Sequence, residues 1–201
     1  MIRLETENHN TKEFYNQTLI AHLLECGLKD EKDLPRLYKL LNGAYGDKLI
    51  DIACGISFLP FFAAERLGCI EVYAVDFADE FIKIMQQISQ TAIYGKKVKY
   101  VVGETTNLPF EDSTFDCAVL GEVLEHSEDP SAVITEAARV LKKNGLVAIS
   151  TPNSETKETH KDKQHIWGFV PEDIKELISK EFDMLRLEIF NYSIYCYGIK
   201  K

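Results

Sequence analysis

Short runs of consecutive apolar residues alternate along most of this chain with longer stretches whose apolar positions recur every three or four residues. The runs lie near residues 48–53, 70–75, 98–102, 115–120 and 146–151. Each has strand length and little polar alternation, as strands covered on both faces of a parallel sheet do. The stretch after Asp76 sets Phe81, Ile84, Met85 and Ile88 on one helical face; the stretch after Asp129-Pro130 sets Ile134, Ala137, Ala138 and Leu141 on another. Asp129 is the expected N-cap, Pro130 the first helical residue and Asn144-Gly145 the stop. Pro171-Glu172-Asp173 opens a last helix, and strands near 183–190 and 193–200 follow it. Ahead of the alternation, residues 11–42 read as two helices, from the i,i+4 pairs Leu19 with Leu23 and Ile20 with Leu24 and from Leu34, Leu37, Tyr38 and Leu41. Strands alternating with amphipathic helices imply an α/β fold with helices on both faces of the sheet.

Composition narrows the function classes. A length of 201 residues allows one substantial core, and 45% hydrophobic with 27% charged residues is ordinary for a globular chain. The net charge of −9 argues against a nucleic-acid or anionic-membrane surface, which needs clustered Lys and Arg. Lys96-Lys97-Lys99 and Lys142-Lys143 are short and fall in turns, where solvated surface is the expectation. The cysteines (Cys26, Cys54, Cys69, Cys117, Cys196) form no C-x-x-C pair, so buried free thiols in a reducing compartment are expected. The N-terminal residues carry no signal-like apolar stretch, and no run approaches membrane-spanning length. A cytoplasmic location without membrane insertion is the expectation.

The chemistry concentrates where the first run breaks. Leu49-Ile50-Asp51-Ile52-Ala53-Cys54-Gly55-Ile56-Ser57 is an apolar strand carrying an acid, then a turn of small residues before a helix. Small residues let the backbone approach a ligand, and a helix N-terminus offers N–H groups to a carboxylate. About 20 residues beyond Gly55 the second run ends at Asp76, where a βαβ nucleotide-binding unit grips ribose hydroxyls. An adenosine-containing cofactor is therefore expected.

Further pieces follow in order: Gly103-Glu104, Leu108-Pro109-Phe110, Phe115-Asp116, Glu122-Val123-Leu124-Glu125-His126, Asp129-Pro130, Arg139-Val140-Leu141-Lys142 and Thr151-Pro152-Asn153. With Asp51 to Gly55 and Asp76, this series resembles the class I S-adenosylmethionine-dependent methyltransferases. It is most similar to the small-molecule branch that includes the quinone-biosynthesis methyltransferases. The resemblance spans about residues 48–153 and implies a Rossmann-like, seven-stranded, mostly parallel sheet with a C-terminal antiparallel hairpin strand. It implies one domain, with residues 1–44 as a helical cap over the acceptor site and 45–201 as the cofactor-binding core.

The cofactor the resemblance implies is S-adenosyl-L-methionine. The turn with Asp51, Ala53 and Gly55 would hold its methionine end, with backbone N–H groups for the carboxylate and Asp51 for the ammonium. Ala53 and Ser57 stand where the family usually has glycine; Ala53 matters only if that position needs a positive φ, and the Ser57 side chain would crowd the ligand. Asp76 would bind the ribose, or simply cap a helix, and Phe77 would cover adenine. Glu104 would reach the adenine amino group, Thr105 would offer its N–H to the ring, and Gly121 and Glu122 would line the sulfonium region.

Two histidines compete for the role of general base. His126 follows the fourth strand, and His165 lies in His165-Ile166-Trp167-Gly168-Phe169, a His-x-x-x-Phe element whose Trp167 and Phe169 would wall the acceptor pocket. An imidazole with a pKa of about 6.5 suits deprotonation near neutral pH. His126 is also readable as a loop histidine bonded to backbone, and the two aromatics as core. The expected activity is methyl transfer to an O or N atom of a small-molecule acceptor. The alternative is a catalytically inactive protein of the same fold that binds cofactor or a partner. No Asn- or Asp-Pro-Pro-aromatic element and no Pro-Cys pair points to methylation of DNA bases, and the missing third turn glycine disfavours a nicotinamide dehydrogenase.

Overall fold

The computed structural model describes residues 1–4, 10–17, 30–69, 71–156 and 164–201. In chain order the elements are β1 (Ile2–Arg3), α1 (Lys12–Gln17), α2 (Asp30–Leu40), β2 (Lys48–Ile52), α3 (Leu59–Arg66), β3 (Glu71–Asp76), α4 (Asp79–Thr91) and β4 (Val98–Val102), then β5 (Phe115–Gly121), α5 (Pro130–Val140), β6 (Leu141–Pro152), β7 (Trp167–Gly168), α6 (Pro171–Ile178), β8 (Phe182–Phe190) and β9 (Ser193–Lys200). Seven strands form one sheet in the order β4-β3-β2-β5-β6-β9-β8, and β1 pairs with β7 apart from it. The pairs from β4 through β6 are parallel, and β9 runs antiparallel to both its neighbours. The expected Rossmann-like sheet and closing hairpin are thus present.

Alternate residues of the central strands feed two cores. On one face Leu49, Ala74, Cys117 and Val119 pack with Leu37 and Leu40 of α2, Ala63 of α3, and Phe81 and Met85 of α4. On the other Ile50, Ile52, Ala118 and Leu120 pack with Ile134 and Ala137 of α5 and Ile174 and Ile178 of α6. Burial on both faces is what makes these strands apolar throughout. Strand order reverses at β2, which has β3 on one side and β5 on the other, and open α/β sheets bind ligands at the strand carboxyl ends beside such a reversal.

Some expectations need correction. Helix α5 ends at Val140, and Leu141 already belongs to β6, so Asn144-Gly145 does not stop it. Those residues sit instead in an irregular start of β6, where Leu141 pairs with Phe115 but Leu146 pairs with Cys117. Asn144 has φ 64°, and a Cβ on Gly145 would stand 2.8 Å from the Lys142 carbonyl oxygen, so the bulge selects those residues. On α4 it is Ile82, beside Phe81 and Met85, that is buried, while Ile84 and Ile88 pack partly against the core. Leu37 and Leu41 are buried, but Tyr38 is exposed and lies under the Arg66 guanidinium. Asp129 caps α5 as expected, its Oδ1 accepting from Ala132 N at 3.0 Å. Cys54, Cys69, Cys117 and Cys196 are buried free thiols. Cys26, Leu19, Ile20, Leu23 and Leu24 lie outside the described residues. No helix among the described residues is long and apolar enough to cross a membrane.

Candidate active site

The carboxyl ends of β2, β3 and β5 open onto a cavity of about 730 Å³. Asp51, Ala53, Gly55, Asp76, Phe77 and Glu104, with Thr105, Gly121, Glu122 and His126, all line it. The turn after β2 needs two left-handed residues: Ala53 has φ 58° and Gly55 has φ 52°. An alanine in that region costs about 1–2 kcal/mol, so Ala53 is a strained substitute for glycine. A Cβ built on Gly55 meets nothing within 4 Å, which leaves its flank open to a ligand. Ser57 also lines the cavity, and its hydroxyl accepts from Leu59 N at 3.1 Å and tethers the start of α3. Not every N–H of the turn is available to a ligand: Cys54 N donates to the Val75 carbonyl and Gly55 N to Asp76 Oδ2, both at 2.9 Å.

Asp76 is therefore a structural clamp as well as a cavity wall. Its second oxygen, Oδ1, accepts from Ala78 N at 2.9 Å and fixes the entry to α4. Burial pushes its carboxyl up, and the backbone N–H groups of Ala78, Gly55 and Phe77 pull it back down. The carboxylate keeps acceptor capacity for a hydroxyl beyond these N–H groups.

Asp51 is different. It is 4% exposed, and its Oδ2 is buried with no hydrogen-bond partner among the described residues. Burial pushes its pKa from 3.8 up to about 8, against the pull of the Arg36 guanidinium and with a smaller push from Asp76. An unsatisfied buried carboxylate oxygen at a cavity wall carries a desolvation cost that a cationic group in the cavity would relieve.

Around these anchors the walls are built from distant elements. A Cβ on Gly121 would stand 3.1 Å from Leu40 Cδ1 and 3.5 Å from an Arg36 nitrogen, so α2 packs closely over this part of the wall. Glu122 has φ 56°, and its Oε1 accepts from the Ser150 hydroxyl at 2.7 Å. Phe77 meets Tyr15 of α1 edge-on, ring centroids 5.6 Å apart. Asn16 latches α1 onto α4, donating to Asp79 Oδ1 at 2.9 Å and accepting from Glu80 N at 3.2 Å. Glu104 is exposed on the rim and Thr105 half-buried beside it. Asn10, Tyr15 and Arg36 also line the cavity. They had no sequence signal, because only tertiary packing brings α1 and α2 over the sheet edge.

The two histidines are together but not equivalent. Their rings stand 4.9 Å apart at 68°. His126 lines the cavity, whereas His165 is buried and does not. Trp167 and Phe169 are not cavity walls either: Trp167 Nε1 donates to the Ser127 carbonyl at 2.8 Å, and Phe169 is in the core. Pairing of β7 with β1 and the bridge from Phe169 to Asn153 draw that segment behind the site. Between the histidines and the sheet lies Glu125, a buried acid that no sequence expectation singled out. Burial, then the Glu122 carboxylate, holds its pKa well above the usual range.

Residues 50–149 match the family model described as a methyltransferase domain. The chain belongs to the class I S-adenosylmethionine-dependent methyltransferases. The domain is 34% identical over 105 residues to a 2-phytyl-1,4-naphtoquinone methyltransferase of Trichormus variabilis, covering 52% of this chain and 46% of that one. It is 29% identical over 134 residues to a ubiquinone biosynthesis O-methyltransferase of Idiomarina loihiensis, covering 65% and 54%. A demethylmenaquinone methyltransferase of Staphylococcus saprophyticus is 26% identical over 162 residues, covering 78% and 68%. The chain thus spans about half to two thirds of the length of these curated relatives. Among solved structures, a SAM-dependent methyltransferase from Aquifex aeolicus superposes with a TM-score of 0.70 at 18% identity, covering 95% of this chain and 99% of that one. The cyclase SpnF superposes with a TM-score of 0.74 at 14% identity, covering 83% and 80%. At such identities these two establish the methyltransferase's fold alone.

Proposed function

We propose that this methyltransferase domain moves a methyl group from S-adenosyl-L-methionine to an oxygen or nitrogen atom of a small-molecule acceptor. The observation that carries this is the buried, unpartnered Oδ2 of Asp51 at the cavity wall beside the open flank of Gly55. Asp51 receives the ammonium, and the turn through Ala53 and Gly55 leaves room for the methionine chain. Asp76 adds ribose hydroxyls to the backbone N–H groups it already holds, while Phe77 covers a face of adenine. Glu104 and Thr105 meet the adenine edge, and Gly121 and Glu122 border the reacting methyl.

When bound, S-adenosylmethionine supplies a methyl already activated on a sulfonium. What the chain's own residues add is alignment and exclusion of water, a contribution of roughly 7–11 kcal/mol when geometry is good. Within residues 1–44 the helices α1 and α2 cap the site, and 45–201 form the core, in one domain with a cytoplasmic location. Nucleic acid is not the partner of so acidic a chain. The relatives' names favour a quinone-like ring as acceptor, and Tyr15 offers such a ring an aromatic surface at the cavity. His126 is the histidine an acceptor would meet.

Mass spectrometry of candidate acceptors after incubation with S-adenosylmethionine tests the reading. A gain of one methylene, lost in Asp51→Asn, is expected. Absence of any cofactor binding would favour an inactive protein of this fold.

A further inference from the structure

On the face of the sheet that packs against α2, α3 and α4, two buried polar atoms belong to one row of residues across the strands. Asp51 of β2 pairs with Ala74 of β3, and Ala74 pairs with Tyr100 of β4. Ala74 and Tyr100 share that core with Leu49, and alternation along β2 puts Asp51 on the same side as Leu49. Asp51 is 4% exposed, Ala74 0% and Tyr100 7%. Neither Oδ2 of Asp51 nor the Tyr100 hydroxyl has a hydrogen-bond partner among the described residues. Each atom left so carries a desolvation cost, and one partner shared between them removes both costs.

We propose that Tyr100 is a positioning residue for Asp51: its hydroxyl donates to one buried water above Ala74, and that water donates to Asp51 Oδ2. Strands two apart in a sheet are separated by about 9–10 Å. The short Ala74 side chain between them leaves the space over the row to the tyrosine ring and the water. The ring is held from both ends. Phe61 of α3 meets it with centroids 6.3 Å apart at 55°, and Gln86 Nε2 of α4 donates to the Tyr100 carbonyl at 3.1 Å. Burial pushes the Tyr100 phenol up, and the Cys54 and Asp51 side chains add to the push, so it stays a protonated donor. A buried water commonly makes about three hydrogen bonds, and the Cys54 thiol, 5% exposed and close enough to feel the Asp51 charge, is the third group at hand.

Asp51 lines the cavity and Tyr100 does not, so Tyr100 acts through Asp51. The other groups that face Asp51 are the Arg36 guanidinium from α2, the Asp76 carboxylate from β3 and the Cys54 thiol from the turn; its β5 neighbour, Val119, brings no charge. A hydrogen bond to the ionised form favours that form. Tyr100 thus offsets part of the burial cost that keeps Asp51 protonated, and it fixes the carboxylate at the cavity wall. That the ionised carboxylate then receives a cofactor ammonium rests on the methyl-transfer reading; the link from Tyr100 to Asp51 does not.

The test follows Asp51 ionisation in the cofactor-free full chain by carbon NMR of labelled aspartates, its signal being the one missing from Asp51→Asn. Tyr100→Phe keeps the ring in the core and removes only the hydroxyl. Its Asp51 ionisation midpoint should lie above that of the wild type by about one pH unit, the equivalent of a hydrogen bond to a charged group. Packing alone would leave the midpoint in place. S-adenosylmethionine affinity near pH 7 should fall about tenfold in the same variant, because a tenfold smaller share of the carboxyl is ionised there. An unmoved midpoint in cooperatively unfolding Tyr100→Phe overturns the proposal, whatever the cofactor titration shows. A raised midpoint in a chain that binds no S-adenosylmethionine upholds the link and counts against the methyl-transfer reading alone.

Discussion

Folding places Asp51 where its own ionisation is penalised, and that penalty is the clearest mark of function at the level of single residues. Its pKa is pushed from 3.8 up to about 8, chiefly by burial. The stability that comes from keeping the proton is fully present below pH 3.8 and is lost as pH rises through about 8. Asp51→Asn cannot ionise, so its thermal midpoint should fall less between pH 6 and about 9 than that of the cofactor-free wild type. The same variant should lose about 1.5–3 kcal/mol of cofactor affinity, the range for a hydrogen bond to a charged group. Parallel pH–temperature curves for the two proteins would contradict the assignment. At Gly55 two costs combine: φ is +52°, and the space beside it is open. Gly55→Val should therefore destabilise by about 1–2 kcal/mol and abolish cofactor binding in calorimetry; wild-type affinity would mean that the turn does not face the ligand. Asp51, Gly55 and Asp76 were legible in the sequence as cavity residues because a small-residue turn and a strand-end acid stand at the spacing of a nucleotide-binding βαβ unit. The positive φ of Ala53 was not, since alanine gives no sign of it, and His165 looked like a cavity residue until β7 was seen to pull it inward.

Between residues and fold, the elements were legible in proportion to their burial. Strands covered on both faces ended within a residue or two of expectation, because their runs are mostly apolar. The first residues of β6 were not legible, since a bulge beginning at Leu141 continues the apolar stripe of α5 into a strand. Side chains that join distant elements left no local pattern at all. Arg139 of α5 is the main example: it donates to the carbonyls of Phe110 and Leu108 at 2.8 and 3.1 Å, and to Asp112 and Glu136 at 2.7 Å. Glu136 in turn accepts from Leu108 N at 2.6 Å. Together they anchor the loop that continues from Glu104 and Thr105. Arg139→Ala should cost about 1.5–3 kcal/mol in urea unfolding, with Lys restoring only part of it because the planar fork is lost. A change below about 0.5 kcal/mol, the usual size of a surface substitution, would show the loop is held otherwise.

For the whole molecule, the strand reversal at β2 explains why one cavity collects residues from so many parts of the chain. The parallel alternation made that sheet edge foreseeable, and the nucleotide-binding spacing marked which end of it to expect. The wall supplied by Tyr15 and Arg36 was not foreseeable, since α1 and α2 carry no motif and reach the cavity through packing such as the Asn16 latch. The account as a whole depends on one binding event. Calorimetric titration of the wild-type chain with S-adenosylmethionine and with its demethylated product should show saturable binding of both at one site per chain, weakened by Asp51→Asn. Absence of heat from either ligand at millimolar concentration, in protein that unfolds cooperatively, would contradict it.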